Sequence, residues 1–311
     1  MATNTTRVSK ARLQRIRWQG ESSFRVLSYY CTVRWNRSQL GNYILKVLGG
    51  FAVDHDPNEF RNPPTPGYPP RYSVLDLGTP KDKRRYRLLF GDEVMITGSH
   101  PGDVLTHLFW HINSETFQKT GNFLLVHAGA VATPAGEGIL LPADSGSGKS
   151  TLTAALVQAG FRYLSDEAGA IDPVTRRLYP YPKALSFKKS QSDVFADLRR
   201  KFDGSRLLKR QWHLRAEDLR PEALGGPCQV RYVIAPQYEA GADIRVTPMS
   251  RAEASVELAR CALNLRVYRE RALPLLADVS RGARAYRLRL GDLREAVEAV
   301  AGITGMTLQA R

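Results

Sequence analysis

Short apolar runs punctuate the first third of the chain. Positions 24–35, 72–77 and 86–90 are rich in β-branched and aromatic residues and are bounded by polar or turn-forming ones, which predicts strands. Between the first two lies 56–70, too dense in proline for helix or central strand and so predicted as a surface loop. Positions 103–112 carry apolar residues at helical spacing. From 123 onward the pattern changes. Runs at 123–126 and 138–141 are unbroken apolar stretches separated by Thr133-Pro134-Ala135-Gly136, as buried strands and their turn would be. Helical spacing resumes at 151–158, a short apolar stretch at Tyr163-Leu164 follows, and 230–235 is again strand-like. A helix is expected over 250–264, a strand over 285–290 and a helix over 292–303, with no repeat at solenoid periods. The expected fold is α/β: a small mixed N-terminal module, 1–118, followed by a second domain, 119–311.

The segment between the run at 138–141 and the helix at 151–158 carries chemistry. It reads Ala143-Asp144-Ser145-Gly146-Ser147-Gly148-Lys149-Ser150-Thr151, a glycine-rich turn between strand and helix. That order suits a loop that wraps backbone amides around phosphates. Gly146 and Gly148 can take positive φ and leave the amides pointing inward, and the new helix adds its positive end to an anion site. Lys149 would reach the β- and γ-phosphates of a nucleotide, and the Ser150 hydroxyl would ligate magnesium. The usual pattern has glycine where this chain has Ala143, so the loop's entrance is expected to be rebuilt. Residues 144–151 are therefore the expected nucleotide-binding set, with ATP and Mg²⁺ as cofactors.

Two acids follow closely. Asp166 and Glu167 come 17 and 18 residues after Lys149, at the end of the Tyr163-Leu164 stretch, where a strand beside the loop's own strand would deliver them to the phosphates. One would hold magnesium and the other would act as base. Asp166 is the favoured metal ligand with Ser150, and Glu167 the favoured base, although the reverse is almost as consistent with the sequence. His127, just past the run at 123–126, could tune or relay a proton.

Charge and cysteine content limit the remaining classes. The net charge of +15 calls for anionic partners, yet no helix-turn-helix, ribonucleoprotein or zinc-finger pattern accompanies it, so nucleic acid is not expected as the main ligand. Three well-separated cysteines, Cys31, Cys228 and Cys261, argue against a disulfide framework or zinc site and fit small buried apolar residues. No stretch approaches a membrane span and the start lacks the apolar core of a secretory signal, so a cytoplasmic protein is expected.

Three segments together resemble the catalytic core of the HPr kinase/phosphorylase family, and particularly its relatives found beside ribosomal-peptide tailoring genes. They are Val126-His127-Ala128-Gly129, the loop 143–150, and Leu156–Glu167 with its Gln158-Ala159-Gly160 and acidic pair. The resemblance is specific over about 120–190. It implies a phosphoenolpyruvate-carboxykinase-like nucleotide fold and ATP-dependent phosphorylation of a serine hydroxyl in a peptide or small protein, such as a ribosomal-peptide precursor. By matching position it gives Lys149 and Ser150 the phosphate and metal roles, Asp166 and Glu167 the acidic pair, and His127 a supporting role. The bifunctional enzymes have two aspartates where this chain has Asp166-Glu167, and an acidic segment where it has 179–189 with Lys183 and Lys188. A kinase without the reverse activity fits that departure. Lys183 and Lys188 are then expected to neutralise phosphate charge or grip an acidic substrate.

The stretch holding Arg199, Arg200, Lys201, Arg206, Lys209, Arg210, Arg215 and Arg220 reads either as an exposed amphipathic helix or as a docking surface for an acidic peptide. The expected partners are an acidic peptide or small protein and further copies of the chain. Other readings are a small-molecule kinase, a P-loop ATPase and an ATP-dependent binding module. A transport-type ATPase is disfavoured because the acids follow the lysine too early and no LSGGQ-like segment is present. Substituting the acids separates catalyst from binder.

Overall fold

Leu27, at φ 56°, turns the chain back on itself, so the β-rich stretch at 24–35 is a hairpin rather than one strand. The computed structural model describes residues 6–53, 70–78, 85–144, 146–188, 195–202, 207–208 and 210–308. Almost all of the proline-dense segment 56–70, together with Ser145, Arg206 and Lys209, lies outside the described residues. The chain divides into two compact units: Met1–Thr116 with Lys188–His213, and Phe117–Phe187 with Leu214–Arg311. The sequence-based boundary at 118/119 falls two residues from the first division, but 188–213 belongs to the first unit and not the second.

The first unit is built on a six-stranded sheet. Its strands are β1 (Gly20–Val26), β2 (Tyr29–Trp35), β3 (Ala52–Val53), β4 (Arg71–Asp76), β5 (Tyr86–Phe90) and β6 (Glu93–Gly98), in the order β3-β1-β2-β4-β5-β6. Only β2 and β4 run parallel. Helix α1 (Lys10–Gln14) precedes the sheet, and α2 (Ser38–Leu48) turns the stripe Leu40, Tyr43, Ile44, Val47 and Leu48 inward. Helix α3 (Pro101–Lys119) extends the helix expected at 103–112 in both directions and carries the chain into the second unit.

The second unit is organised around β7 (Leu124–Ala132). Every residue of this strand except His127 is buried, as expected of a central strand covered on both faces. Strands β8 (Glu137–Pro142), β9 (Arg162–Ser165), β10 (Ala168–Ile171) and β11 (Arg177–Tyr179) surround it, with α4 (Lys149–Gln158) between β8 and β9. The chain continues through β12 (Leu185–Lys188), contributes α5 (Ala196–Phe202) and most of β13 (Gln211–Leu214) to the first unit, and resumes the second with α6 (Ala216–Leu219). It then runs through β14 (Cys228–Tyr238), β15 (Arg245–Met249), α7 (Arg251–Arg260), α8 (Leu265–Tyr268), α9 (Ala272–Gly282), β16 (Arg284–Leu290) and α10 (Leu293–Thr304). The sheet order is β11-β10-β7-β8-β14-β16-β15, with β9 also on β7. Because β11 pairs with β14 as well, five strands close into a ring. β14 runs parallel to both β8 and β16, giving an α/β arrangement of mixed strand orientation.

Side-chain alternation along β7 divides the layers. Leu124, Val126, Ala128, Ala130 and Ala132 face a core completed by Leu258 of α7 and Leu276 and Val279 of α9. The opposite face meets α4. There Gly129 is required: a Cβ would lie 2.5 Å from Thr153 Oγ1 and 3.1 Å from Lys149 Cγ. Helix α7 begins where the sequence suggests, with Ser250 and Glu253 forming a capping box, but it ends at Arg260, so the expected helix 250–264 is shorter. The basic stretch is not one amphipathic helix either. It is split among α5, β13 and α6, with Trp212 and His213 buried. Arg215 pairs with Asp218, and Arg220 donates to the carbonyls of Val157, Gly160 and Phe161 at the end of α4, so both act within the fold.

Candidate functional site

The loop expected to cradle phosphate has positive φ at both of its glycines. β8 ends at Pro142, Gly146 and Gly148 take φ 95° and 83°, and Gly148 is the N-cap residue from which Lys149 opens α4. Only glycine adopts that left-handed region without strain. Ala143 is buried, whereas Asp144 and Gly146 are exposed. The Ser147 hydroxyl oxygen is shielded from solvent and has no hydrogen-bond partner among the described residues. An anion seated on the α4 N-terminus would supply one.

Strand β7 sets the distances among the remaining groups. His127 is the fourth residue of the strand and does not lie beyond its end as the apolar run suggested, because Ala128–Ala132 are small and buried and the strand continues. β9 and β10 lie on one edge of β7 in succession. Ser165 faces Ala130 and Ala168 faces His127, so Asp166 and Glu167 occupy the break in the ladder opposite Ala128 and Gly129. The acids therefore arrive on a strand beside β7, not beside the loop's own strand β8, which β7 separates from them. Ser165 Oγ accepts from the N–H groups of Glu167 (3.0 Å) and Ala168 (2.9 Å) and fixes the turn.

Asp166 is buried and receives three donors. Ser150 Oγ and the Ser186 N–H each bond to Oδ2 at 3.0 Å, and the Tyr163 hydroxyl shares its one proton between the Lys183 carbonyl at 2.7 Å and Oδ1 at 3.3 Å. Burial raises its pKa against the opposing charge of Lys183. Glu167 is different. Burial alone would raise its pKa, but the Lys183 ammonium, in direct contact with Oε2, outweighs burial and holds the carboxyl below its ordinary range. Lys183 is kept charged in turn: burial lowers its pKa, but Glu167 and Asp166 together raise it further.

Lys149 is buried, and its ammonium donates to His127 Nε2 at 3.1 Å. His127 Nδ1–H donates in turn to the Glu167 carbonyl at 3.1 Å, which leaves Nε2 as the acceptor and the ring neutral. Burial and then the Lys149 charge lower the His127 pKa, and burial lowers that of Lys149. The expected result is an imidazole that titrates below 6.5 in an NMR pH titration. Because the unfolded chain would take up that proton first, this group removes stability as the pH falls through 6.5 and below.

Lys183, expected to neutralise phosphate charge or grip a substrate, is turned into the protein. It is 5% exposed and committed to Glu167, since an ammonium that deep has to be paired. Lys188, at the end of β12, is exposed and takes no part in these bonds. Tyr163 and Ser186 were not anticipated: a tyrosine inside an apolar run and a backbone N–H 20 residues beyond Asp166 carry no distinguishing mark. Nor was Arg260, which bonds Asp144 from 116 residues away and Glu257 at 2.6 Å.

The donor set fits magnesium and phosphate. A serine hydroxyl and a carboxylate oxygen are hard ligands of the kind magnesium takes beside phosphate oxygens. Among the described residues no group of three or more His, Cys, Asp or Glu side chains could hold a metal ion by itself. Among the same residues no helix is long and apolar enough to cross a membrane. No protein-family model matches this chain, and a search of curated proteins finds no match.

Proposed function

We propose that the chain is an ATP-dependent kinase that transfers the γ-phosphate to a serine hydroxyl of a peptide or small protein, on a P-loop domain of the phosphoenolpyruvate-carboxykinase and HPr-kinase type. The observation that carries this reading is a convergence. In the first turn of α4, Lys149, packed on Gly129, bonds His127 of β7, and Ser150 bonds Asp166, while the His127 ring bonds the Glu167 carbonyl between β9 and β10. A cytoplasmic location and a homo-oligomeric state belong to the same reading.

Phosphoryl transfer requires positioned charge more than covalent help from the protein. Lys149 would bind the terminal phosphates, and His127, neutral and accepting from Lys149, fixes where that ammonium points. Ser150 and Asp166 would hold magnesium, which when bound neutralises phosphate charge. Glu167 would accept the proton of the serine hydroxyl as its oxygen bonds to phosphorus and the bond to the ADP oxygen breaks, with ADP keeping the electron pair. Its pairing with Lys183 keeps it ionised and ready, and a loose transition state asks for an oriented acceptor more than a strong base.

The test is to incubate the chain with γ-labelled ATP, magnesium and an extract of its source cells, beside an Asp166→Asn/Glu167→Gln variant. Label on a serine of a peptide or protein, absent with the variant, supports the kinase. Label confined to free phosphate or to a metabolite replaces this reading with an ATPase or a small-molecule kinase.

A further inference from the structure

Arg260 ends α7 and bonds the loop itself. Its guanidinium donates to Asp144 Oδ2 and to Glu257 Oε1, the latter at 2.6 Å, and its side chain is 44% exposed. The backbone beneath it is fixed. The next residue, Cys261, accepts the His127 N–H at 2.7 Å, Ala262 bridges Val126, and the Leu263 N–H donates to the Leu125 carbonyl at 2.8 Å. Arg260 therefore approaches the loop from the edge of β7 opposite the one that β10 occupies.

Charge in the site is short of what a triphosphate requires. Lys183 is committed to Glu167, and His127 is neutral. Lys149 faces both Asp166 and Glu167. Arg260 is a further cation, held by two acids at the solvent surface, where an ion pair contributes little and exchanges readily. A guanidinium offers two parallel donors to phosphate oxygens, a stronger and more directional pairing than the one it would leave.

We propose that Arg260 is a phosphate-sensing side chain: a nucleoside triphosphate draws its guanidinium from Asp144 onto the terminal phosphate, and the site thereby prefers ATP to ADP. This rests on the nucleotide-binding reading above. The backbone of α7 stays in place and the side chain turns about a fixed Cα. Asp144 serves as the parking site, which gives its exposed carboxylate a purpose in a loop otherwise built to attract anions.

The test is calorimetric binding of ADP and of the β,γ-imido analogue of ATP to the full chain, with magnesium chloride present. Arg260→Gln is expected to weaken triphosphate binding about tenfold with little change for ADP, about 1.4 kcal/mol. Arg260→Lys is expected to recover part of the loss, and Glu257→Gln, which loosens the resting hold, to raise the preference for triphosphate. Equal weakening for both nucleotides would make Arg260 a brace for the loop and overturn the proposal while leaving nucleotide binding intact. A wild-type chain that binds neither nucleotide overturns the nucleotide-binding reading and this proposal together.

Discussion

Lys183→Met is expected to lower the unfolding free energy of the second unit by about 3 kcal/mol, the lower end of what removing one member of a buried ion pair costs. The lysine side chain is 6% exposed and that of Glu167 26%, so the substitution leaves the carboxylate largely desolvated beside a second one, Asp166. The loss comes from that stranded charge more than from the attraction itself. Lys183→Met/Glu167→Gln should therefore be more stable than Lys183→Met alone, since a neutral amide needs no counter-ion. Denaturant unfolding of the single and double variants measures this. Additive losses would mean that the two side chains do not compensate each other.

The other large effect concerns turnover. If the chain is the kinase proposed above, Lys149→Met is expected to reduce phosphate transfer by about 10²–10³-fold, the scale on which one preorganised charged or hydrogen-bonding group contributes to a transition state. Lys149→Arg should not rescue it. The stem of Lys149 packs on Gly129, where a Cβ would come within 3.1 Å of its Cγ, and its ammonium bonds His127 Nε2 as a compact point charge, a contact that a planar guanidinium does not reproduce. Steady-state assays with labelled ATP, read beside nucleotide binding, separate the two consequences. A loss confined to affinity would give Lys149 an anchoring role, and a loss in turnover at saturating ATP would place it in the transition state.

Much of the site can be read from residue order because its parts are local. The glycines, Lys149 and Ser150 are contiguous, and one helix and one strand lead from them to Asp166 and Glu167. What the sequence conceals depends on which faces meet. Lys183 looks like an exposed basic residue until Tyr181, Lys183 and Ser186 are pinned to β9 by the bonds of Leu164, Tyr163 and Asp166. Arg220 looks like part of a docking surface until its guanidinium is found on three carbonyls at the end of α4. Helix α2 has a legible signature that its strand-rich surroundings overshadow: Leu40, Tyr43, Ile44, Val47 and Leu48 stand at clear helical spacing. His127 sits deeper in its strand than the apolar run implies, since alanine and glycine carry little strand preference and only burial on both faces extends β7 through them.

Strand β7 works as a measuring edge. Pro142 at the loop's entrance is held opposite Ala128, Ser165 before the acids opposite Ala130, and Ala168 after them opposite His127. Spatial separation in the site is thus set by pairing register, and the number of residues between Lys149 and Asp166 merely records the length of α4 and its return. A chain could lengthen or shorten that helix and keep its chemistry, provided the same rungs were met. One residue gained or lost within β7 would turn His127 and Gly129 to the other face and separate every group at once. Relatives with the same chemistry are thus better sought by a short small-residue strand bearing one histidine than by a fixed count between lysine and acid.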